Sequence, residues 1–370
     1  MSGSYGRGGA SIAGMLAGIV ILVGAFPLLF WNEGRAVKRY RALKEGAGIV
    51  VSASPQKVDG ANEGKLVHVA GRAVTEEVLS DDVFGVEVNA IKLRRNVSMY
   101  QWKERKESRS EKENGETRTR TTYHYDRVWS DKLIDSSRFE RSGHTNPSSM
   151  PYREREATAS QVALGDYTLS PGILAKISAY EALPVGDLPS ALQPRGRLHD
   201  GGIYLGADPG SPQIGDVKIG FQAVPSAVDV SLVAAQSGRS FKPYVTSQGG
   251  SIELVSMGIH GAREMFETAQ RRNTMLTWAL RVGGVLAMFL GMRLILGPLT
   301  ALMGAIPVLG NLVGMGITLV AFLVAVALSV LTAAVAWMFY RPLLAAGLVV
   351  GALAILFAVR WMSGRQEQTA

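Results

Sequence analysis

Apolar residues are distributed very unevenly along this chain. An uncharged run, SIAGMLAGIVILVGAFPLLF, fills Ser11 to Phe30 and exits into the charged WNEGRAVKRYR. Charge then persists to about residue 275, and the last hundred residues are again nearly free of it. A membrane crossing needs about 20 apolar residues at 1.5 Å of rise each, so the first run predicts a transmembrane helix over 11–31. A cleaved secretion signal would carry an apolar region of about 7–15 residues ending at a small-x-small site. The longer run with a charged exit reads instead as a retained anchor. Pro27 predicts a kink or the last turns of that helix. Three further runs predict helices over 275–296, 312–340 and 343–359. The second of these is bounded by Trp337, Phe339 and Tyr340 and stopped by Arg341-Pro342. Between the first two lies GPLTALMGAIPVLGN, residues 297–311, with two prolines and no charge. It reads as a tight connection at membrane depth, a re-entrant loop being one form of it. Tails of 1–10 and 360–370 complete the plan, and four spans put both termini on one side.

The polar middle, 32–274, changes period along its length. Residues 33–47 carry Val37, Tyr40, Leu43 and Ala47 at helical spacing with cations on the other faces. This predicts either a helix lying on the membrane surface or a plain helical stem. Strand-like runs follow: GIVVSAS, GKLVHVAGRA, QVALGDYTLS, GDVKIGFQAV, AVDVSLVAAQ, FKPYVTS and SIELVSMG, bounded by Gly, Pro, Asp and Ser. Ser170-Pro171 opens a short helix, and AREMFETAQRRN (262–273) predicts a helix feeding the second span. Two long runs, KLRRNVSMYQWKERKES and TRTRTTYHYDRVWSDKLI, flank a polar segment with Asn114-Gly115 at its centre, a β-hairpin signal. The fold class expected is a membrane α-helical protein of four spans, one plus three, with a large β-rich α+β extramembrane domain between spans 1 and 2.

Net charge is +8 and the pI about 9.6. In a soluble protein that balance would suggest a nucleic-acid partner. Here the cations gather at membrane boundaries, where they meet lipid headgroups. The hairpin region Lys92–Lys132 mixes 12 Lys/Arg with 7 Asp/Glu, whereas a phosphate-binding face would be uniformly positive. Membrane lipid is therefore the expected partner of the basic residues, and nucleic acid is not. Arg35, Lys38, Arg39 and Arg41 after the first span and Arg341 after the third are the membrane-interface candidates. Arg281 and Arg293 interrupt the second span about 18 Å apart along a helix. Both can snorkel to opposite interfaces, or one can face the bundle interior, where a charge becomes a functional candidate. Gly14 and Gly18 form a GxxxG pair suited to close helix approach.

The search for reaction chemistry yields little. There is no cysteine, which removes disulfides, thiolate nucleophiles and Cys-based zinc sites. The histidines, His68, His124, His144, His199 and His260, show no ligand spacing. GxSxG and P-loop patterns are missing, and GADPGSPQIGD reads as a loop. The acid pairs Glu76-Glu77 and Asp81-Asp82 read as turn charge. Asn96-Val97-Ser98 fits a glycosylation acceptor, which matters only in a eukaryotic lumen. The expectation is no catalytic residues, no metal and no cofactor.

Several long motifs, in order along the chain, carry a resemblance: FWNEGRAVKRYRALKEG, NEGKLVHVAGR, AIKLRRNVSMYQWKE, GHTNPSSM, GDVKIGF and FYRPL. They resemble the transmembrane protein 43 (LUMA) family from the first span to the last, and the short, acid-poor tails resemble a bacterial member. The resemblance implies four spans and a large domain between spans 1 and 2. In animal members that domain lies in the lumen of the endoplasmic reticulum and nuclear envelope, and the family is linked to organising the inner nuclear membrane, to homo-oligomers, and to emerin and lamins. A bacterium lacks those last partners. For a bacterial member the implied place is the plasma (inner) membrane with the domain outside. The cations after the first span argue the opposite orientation, but the positive-inside rule has little hold on loops beyond about 60 residues. The function expected is a self-associating membrane scaffold. A channel or transport protein using the helix 2–4 bundle is the alternative, and a membrane-bound enzyme has the least support.

Overall fold

A computed structural model describes residues 7–113, 116–190, 192–298, 307–343, 346–347 and 350. The hairpin tip Asn114-Gly115, most of the 297–311 connection, nearly all of the fourth predicted span and the C-terminal tail lie outside the described residues, as does most of the N-terminal tail. The chain divides into two compact units: a helical one of residues 1–47, 246–250 and 266–370, and a β-rich one of residues 48–245 and 251–265. Residues 32–47, grouped with the extramembrane domain by their charge, belong to the helical unit.

The helical unit is built from α1 (Arg7–Ile49), α3 (Ala262–Ile295, from Phe266 on) and α4 (Pro307–Tyr340); α2 (Pro171–Leu174) is a single turn in the β-rich unit. Each of the three long helices is long and apolar enough to cross a membrane. At 43 residues, α1 is about 65 Å long, roughly twice the hydrocarbon thickness. Its second half is therefore the plain stem, not a separate surface helix, and Pro27 sits inside the helix without ending it. The stem buries Val37 and Leu43 as expected, but Tyr40 is exposed, because Ala36 and Ala42 form the packed face instead. Proline at the first position of α4 suits a helix start, so the last five residues of the 297–311 stretch are helical.

The helices meet along small residues. A Cβ on Gly18 would lie 2.7 Å from the Gly291 carbonyl oxygen, and one on Gly291 would lie 2.8 Å from that of Gly18. Ala25, Leu29, Met288 and Ala325 form the core of the bundle. On α4, Ala321, Ala325, Ser329, Thr332 and Ala336 make a buried seam. In lipid the hydrophobic effect does not drive helices together, so such close backbone approach supplies the packing energy.

Among the described residues the main strands of the β-rich unit are β1 (Leu66–Val74), β2 (Val78–Asp81), β3 (Val86–Glu113), β4 (Glu116–Ser130), β5 (Arg155–Thr158), β6 (Gly202–Leu205), β7 (Val217–Pro225), β8 (Ala227–Ser237) and β9 (Leu254–Met257), with shorter strands, Tyr167–Thr168 among them, completing the sheets. Among the described residues one sheet centres on β8, antiparallel to β1 and β9. The other centres on β3, which takes β2, β7, β5 and β4 in turn along its 28 residues. Val217, Ile219, Phe221 and Ala223 alternate inward along β7 with Lys218, Gly220 and Gln222 outward, the period of a half-buried strand. Val69, Tyr167 and Leu232 of the first sheet, Ile91, Met99 and Phe221 of the second, and Phe84 from the turn between β2 and β3 belong to one core. The unit is thus β-rich with one core between two sheets.

From Met99↔Ser130 to Glu113↔Glu116, β3 and β4 form a ladder of fifteen pairs, about 50 Å of ribbon. Its base is held by loop side chains. Asn146 accepts from the Trp102 amide at 2.7 Å and donates to the Trp102 carbonyl at 2.9 Å, acting as a one-residue strand on the open edge. Tyr100 packs on Trp129, and Trp102 and Tyr125 enclose the His144 ring. Past Trp102 neither edge of the ribbon has a further strand partner among the described residues.

Candidate functional site at the membrane boundary

The helical unit buries a polar network where an apolar span would not be expected to hold one. Asn273, Thr277 and Arg281 are spaced four apart on one face of α3. They face Asn32, Glu33 and Arg35 of α1. Arg281 donates from Nε and Nη2 to the two Glu33 oxygens at 2.6 and 2.9 Å. The Trp337 indole of α4 donates to Glu33 Oε2 at 2.8 Å. The Glu33 side chain is 2% exposed, so its charge is taken up by this fork and by the indole. The Arg281 guanidinium also lies 4.8 Å from the centre of the Trp278 ring, a cation–π contact. Beside it, Arg35 donates to Asn273 Oδ1 at 3.1 Å, Asn32 Oδ1 at 3.2 Å and Thr277 Oγ1 at 3.0 Å. Asn273 in turn donates to the Ala36 carbonyl at 3.0 Å and Asn32 to the Thr277 carbonyl at 3.1 Å.

These groups lie among aromatic residues. Phe30 contacts Phe339 and Tyr340, and Gly34 is buried under the Tyr340 ring, which a Cβ there would strike at 2.5 Å. Aromatic side chains of this kind mark the membrane–water interface, so the network sits at the boundary. A polar group in that setting is costly unless fully bonded. One bidentate ion pair and an amide–hydroxyl cluster tie α1 to α3, and Trp337 ties α4 to both.

The residues singled out from sequence fall into distinct places. Arg35 and Arg281 are in the network. Arg41 donates to the Tyr340 carbonyl at 2.8 Å, capping the C-terminus of α4, where cations are favourable. Lys38 is exposed, Arg39 half-buried, and Arg341 half-buried just past α4. Arg293 is exposed and donates to Thr318 of α4 at 2.6 Å, close to the end of α3. Of the two arginines in the second span, Arg281 is the one turned toward a carboxylate of α1, Glu33. Gly18 packs on α3, whereas Gly14 has open space around it. Asn32, Glu33, Asn273 and Thr277 escaped the reading of the sequence, and Trp337 was read only as part of an aromatic boundary, not as a partner of a buried carboxylate. The fourfold spacing of polar residues entering the second span was the signal that could have found three of the network's members.

The β-rich unit has its own buried charges on β3. Arg95 donates from Nη1 to both Asp81 oxygens at 2.9 and 2.8 Å. Arg94 donates to Glu156 at 2.6 and 2.9 Å and lies 3.9 Å from the centre of the Tyr180 ring. Tyr180 donates to the same Glu156 oxygen at 2.7 Å. Burial, then the bond to Glu156, pushes the Tyr180 hydroxyl up to about 12. Burial also pushes Glu156 up, but the bonds from Tyr180 and Arg94 outweigh it and hold the carboxyl below its usual range. Arg95 of the basic stretch is thus paired inside the fold, and Arg94 is paired at its half-exposed edge. Among the described residues no group of three or more His, Asp or Glu is placed to hold a metal ion.

Membrane-crossing helices braced at their boundary, with a β-rich domain inserted between the first and second, define an integral membrane protein. Residues 99–342 match the family model described as Transmembrane protein 43. The chain is 38% identical to Transmembrane protein 43 of Mus musculus over 354 residues, 93% of this chain and 88% of that protein. The Homo sapiens protein gives the same figures, and the Drosophila melanogaster homolog is 32% identical over 355 residues, 90% of each chain. The chain belongs to the transmembrane protein 43 family. No solved structure matches it.

Proposed function

We propose that the protein is a membrane scaffold that self-associates and presents its β-rich domain at the membrane surface. One observation carries this reading: the β3–β4 ribbon, whose edges past Trp102 have no further strand partner among the described residues. A two-stranded ribbon alone is marginal in water, and an open edge is a template for pairing with another chain. The buried ionic chemistry of the helical unit is directed at bracing: Glu33, Arg281 and Trp337 satisfy one another. The transport reading draws on Arg281, Arg293 and the Pro/Gly-broken segment 297–311; of these, Arg281 is held by Glu33 and Arg293 bonds Thr318, which favours the scaffold, and most of 297–311 lies outside the described residues. By the family resemblance, a bacterial member would occupy the plasma (inner) membrane with the domain outside. A eukaryotic one would occupy the endoplasmic reticulum or inner nuclear membrane with the domain in the lumen.

The chain lacks cysteine, so Thr122→Cys on the exposed face of β4 introduces a unique thiol. Bismaleimide treatment of membranes containing this variant should give a covalent dimer on denaturing gels. The same treatment of a Lys57→Cys variant, far from the ribbon in sequence, should give much less. Equal yields from the two, or no dimer from Thr122→Cys, would count against the scaffold reading.

A further inference from the structure

A cavity of about 540 Å³ opens in the β-rich unit between residues 192–197, the ends of β6 and β7, and Tyr152. That size is within the roughly 300–1,000 Å³ typical of small-molecule sites. Its walls include Tyr152, Leu205 and Val217, and the formal charges among its described lining residues are those of Arg195 and Arg197 alone. Arg195 closes the turn that precedes the strand Gly196–His199, Arg197 is the second residue of that strand, and both line the cavity. Gly196 between them is pressed against β6: a Cβ there would lie 2.8 Å from the Leu205 side chain. The carboxylates of the adjoining loop are turned to their own backbone and neighbours. Asp216 accepts from the Tyr204 hydroxyl at 2.5 Å and the Gln213 amide at 2.8 Å, and Asp208 accepts from the Gly210 amide at 2.9 Å. Arginine forks suit phosphate and carboxylate.

We propose that this cavity binds an amphipathic anion, a phosphate ester whose charge meets Arg195 and Arg197 and whose apolar group rests on Tyr152, Leu205 and Val217. The phosphate can come from a lipid headgroup or from a soluble ester. The inference is independent of the scaffold reading, since neither the ribbon nor the helices contribute to the cavity.

The test is calorimetric titration of the full chain in uncharged detergent with dioctanoyl phosphatidic acid, phenyl phosphate and inorganic phosphate. One or both esters should bind at least tenfold more tightly than inorganic phosphate, which lacks the apolar group. Preference for phosphatidic acid assigns the lipid source, and preference for phenyl phosphate the soluble one. Arg195→Gln/Arg197→Gln should weaken binding at least tenfold, while Lys57→Gln/Lys65→Gln, an equal loss of charge elsewhere on the unit, should leave it unchanged. Binding of neither ester, or equal losses in the two double variants, overturns the proposal. If the arginine variant does not fold, protection of Arg195 and Arg197 from phenylglyoxal by the bound ester in the unaltered chain gives the same answer, and no protection overturns it.

Discussion

Glu33 follows an apolar run and precedes a basic stem, so along the sequence it looks like the first solvated residue after a span. In the fold it is buried and holds Arg281 and Trp337. Removing one partner from such a pair leaves the other charge buried and costs about 3 kcal/mol. Glu33→Gln and Arg281→Met should each lower stability by about that much, read by denaturant unfolding in detergent. The double variant should recover a large part of the loss; additive losses would show that the pair is not coupled. The cations themselves were legible from sequence, but their partners were not, because the contacts join residues about 250 positions apart.

Tyr180 offers a second residue-scale test. Its folded pKa, about 12, stands above the unfolded value. Its contribution to stability is therefore complete below pH of about 10 and lost as pH rises toward 12. Tyr180→Phe should flatten that part of the alkaline stability curve. An unchanged curve would mean that neither burial nor the bond to Glu156 raises the Tyr180 hydroxyl.

At the scale of elements, the long periodic segments were readable, as was the four-residue β9 within SIELVSMG, but several other short strands were not. The spans over 11–31, 275–296 and 312–340, the hairpin, and β1, β7 and β8 all announce themselves by period and length. By contrast β2, β5 and β6 have four residues each, too few for a period to register, and they exist because β3 and β7 offer edges to pair with. The GxxxG pair shows the same limit. Spacing treats Gly14 and Gly18 alike, but only Gly18 meets α3. Gly18→Val should cost about 1–3 kcal/mol through overpacking against Gly291, and Gly14→Val should be near neutral in the same unfolding assay. Equal effects would place the α1–α3 contact elsewhere.

For the whole molecule, alternating charge-poor and charge-rich stretches made both the membrane plan and the domain between the first and second spans legible, and the family motifs implied the same arrangement. Orientation is a different matter, because the positive-inside rule weakens for a loop of this length. The family-based orientation makes a definite expectation. In intact bacterial cells expressing a Ser108→Cys variant, a membrane-impermeant maleimide should label the chain without lysis; labelling only after lysis would reverse the orientation. Self-association is the central claim, and it is read most directly by native mass spectrometry of the purified full chain in detergent. It should be run beside a variant in which residues 105–124 are replaced by an Asn-Gly turn. The account predicts a multiple of the chain mass for the full protein and a shift to the single chain for the variant. A single-chain mass for the full protein, or the same multiple for both, would contradict it.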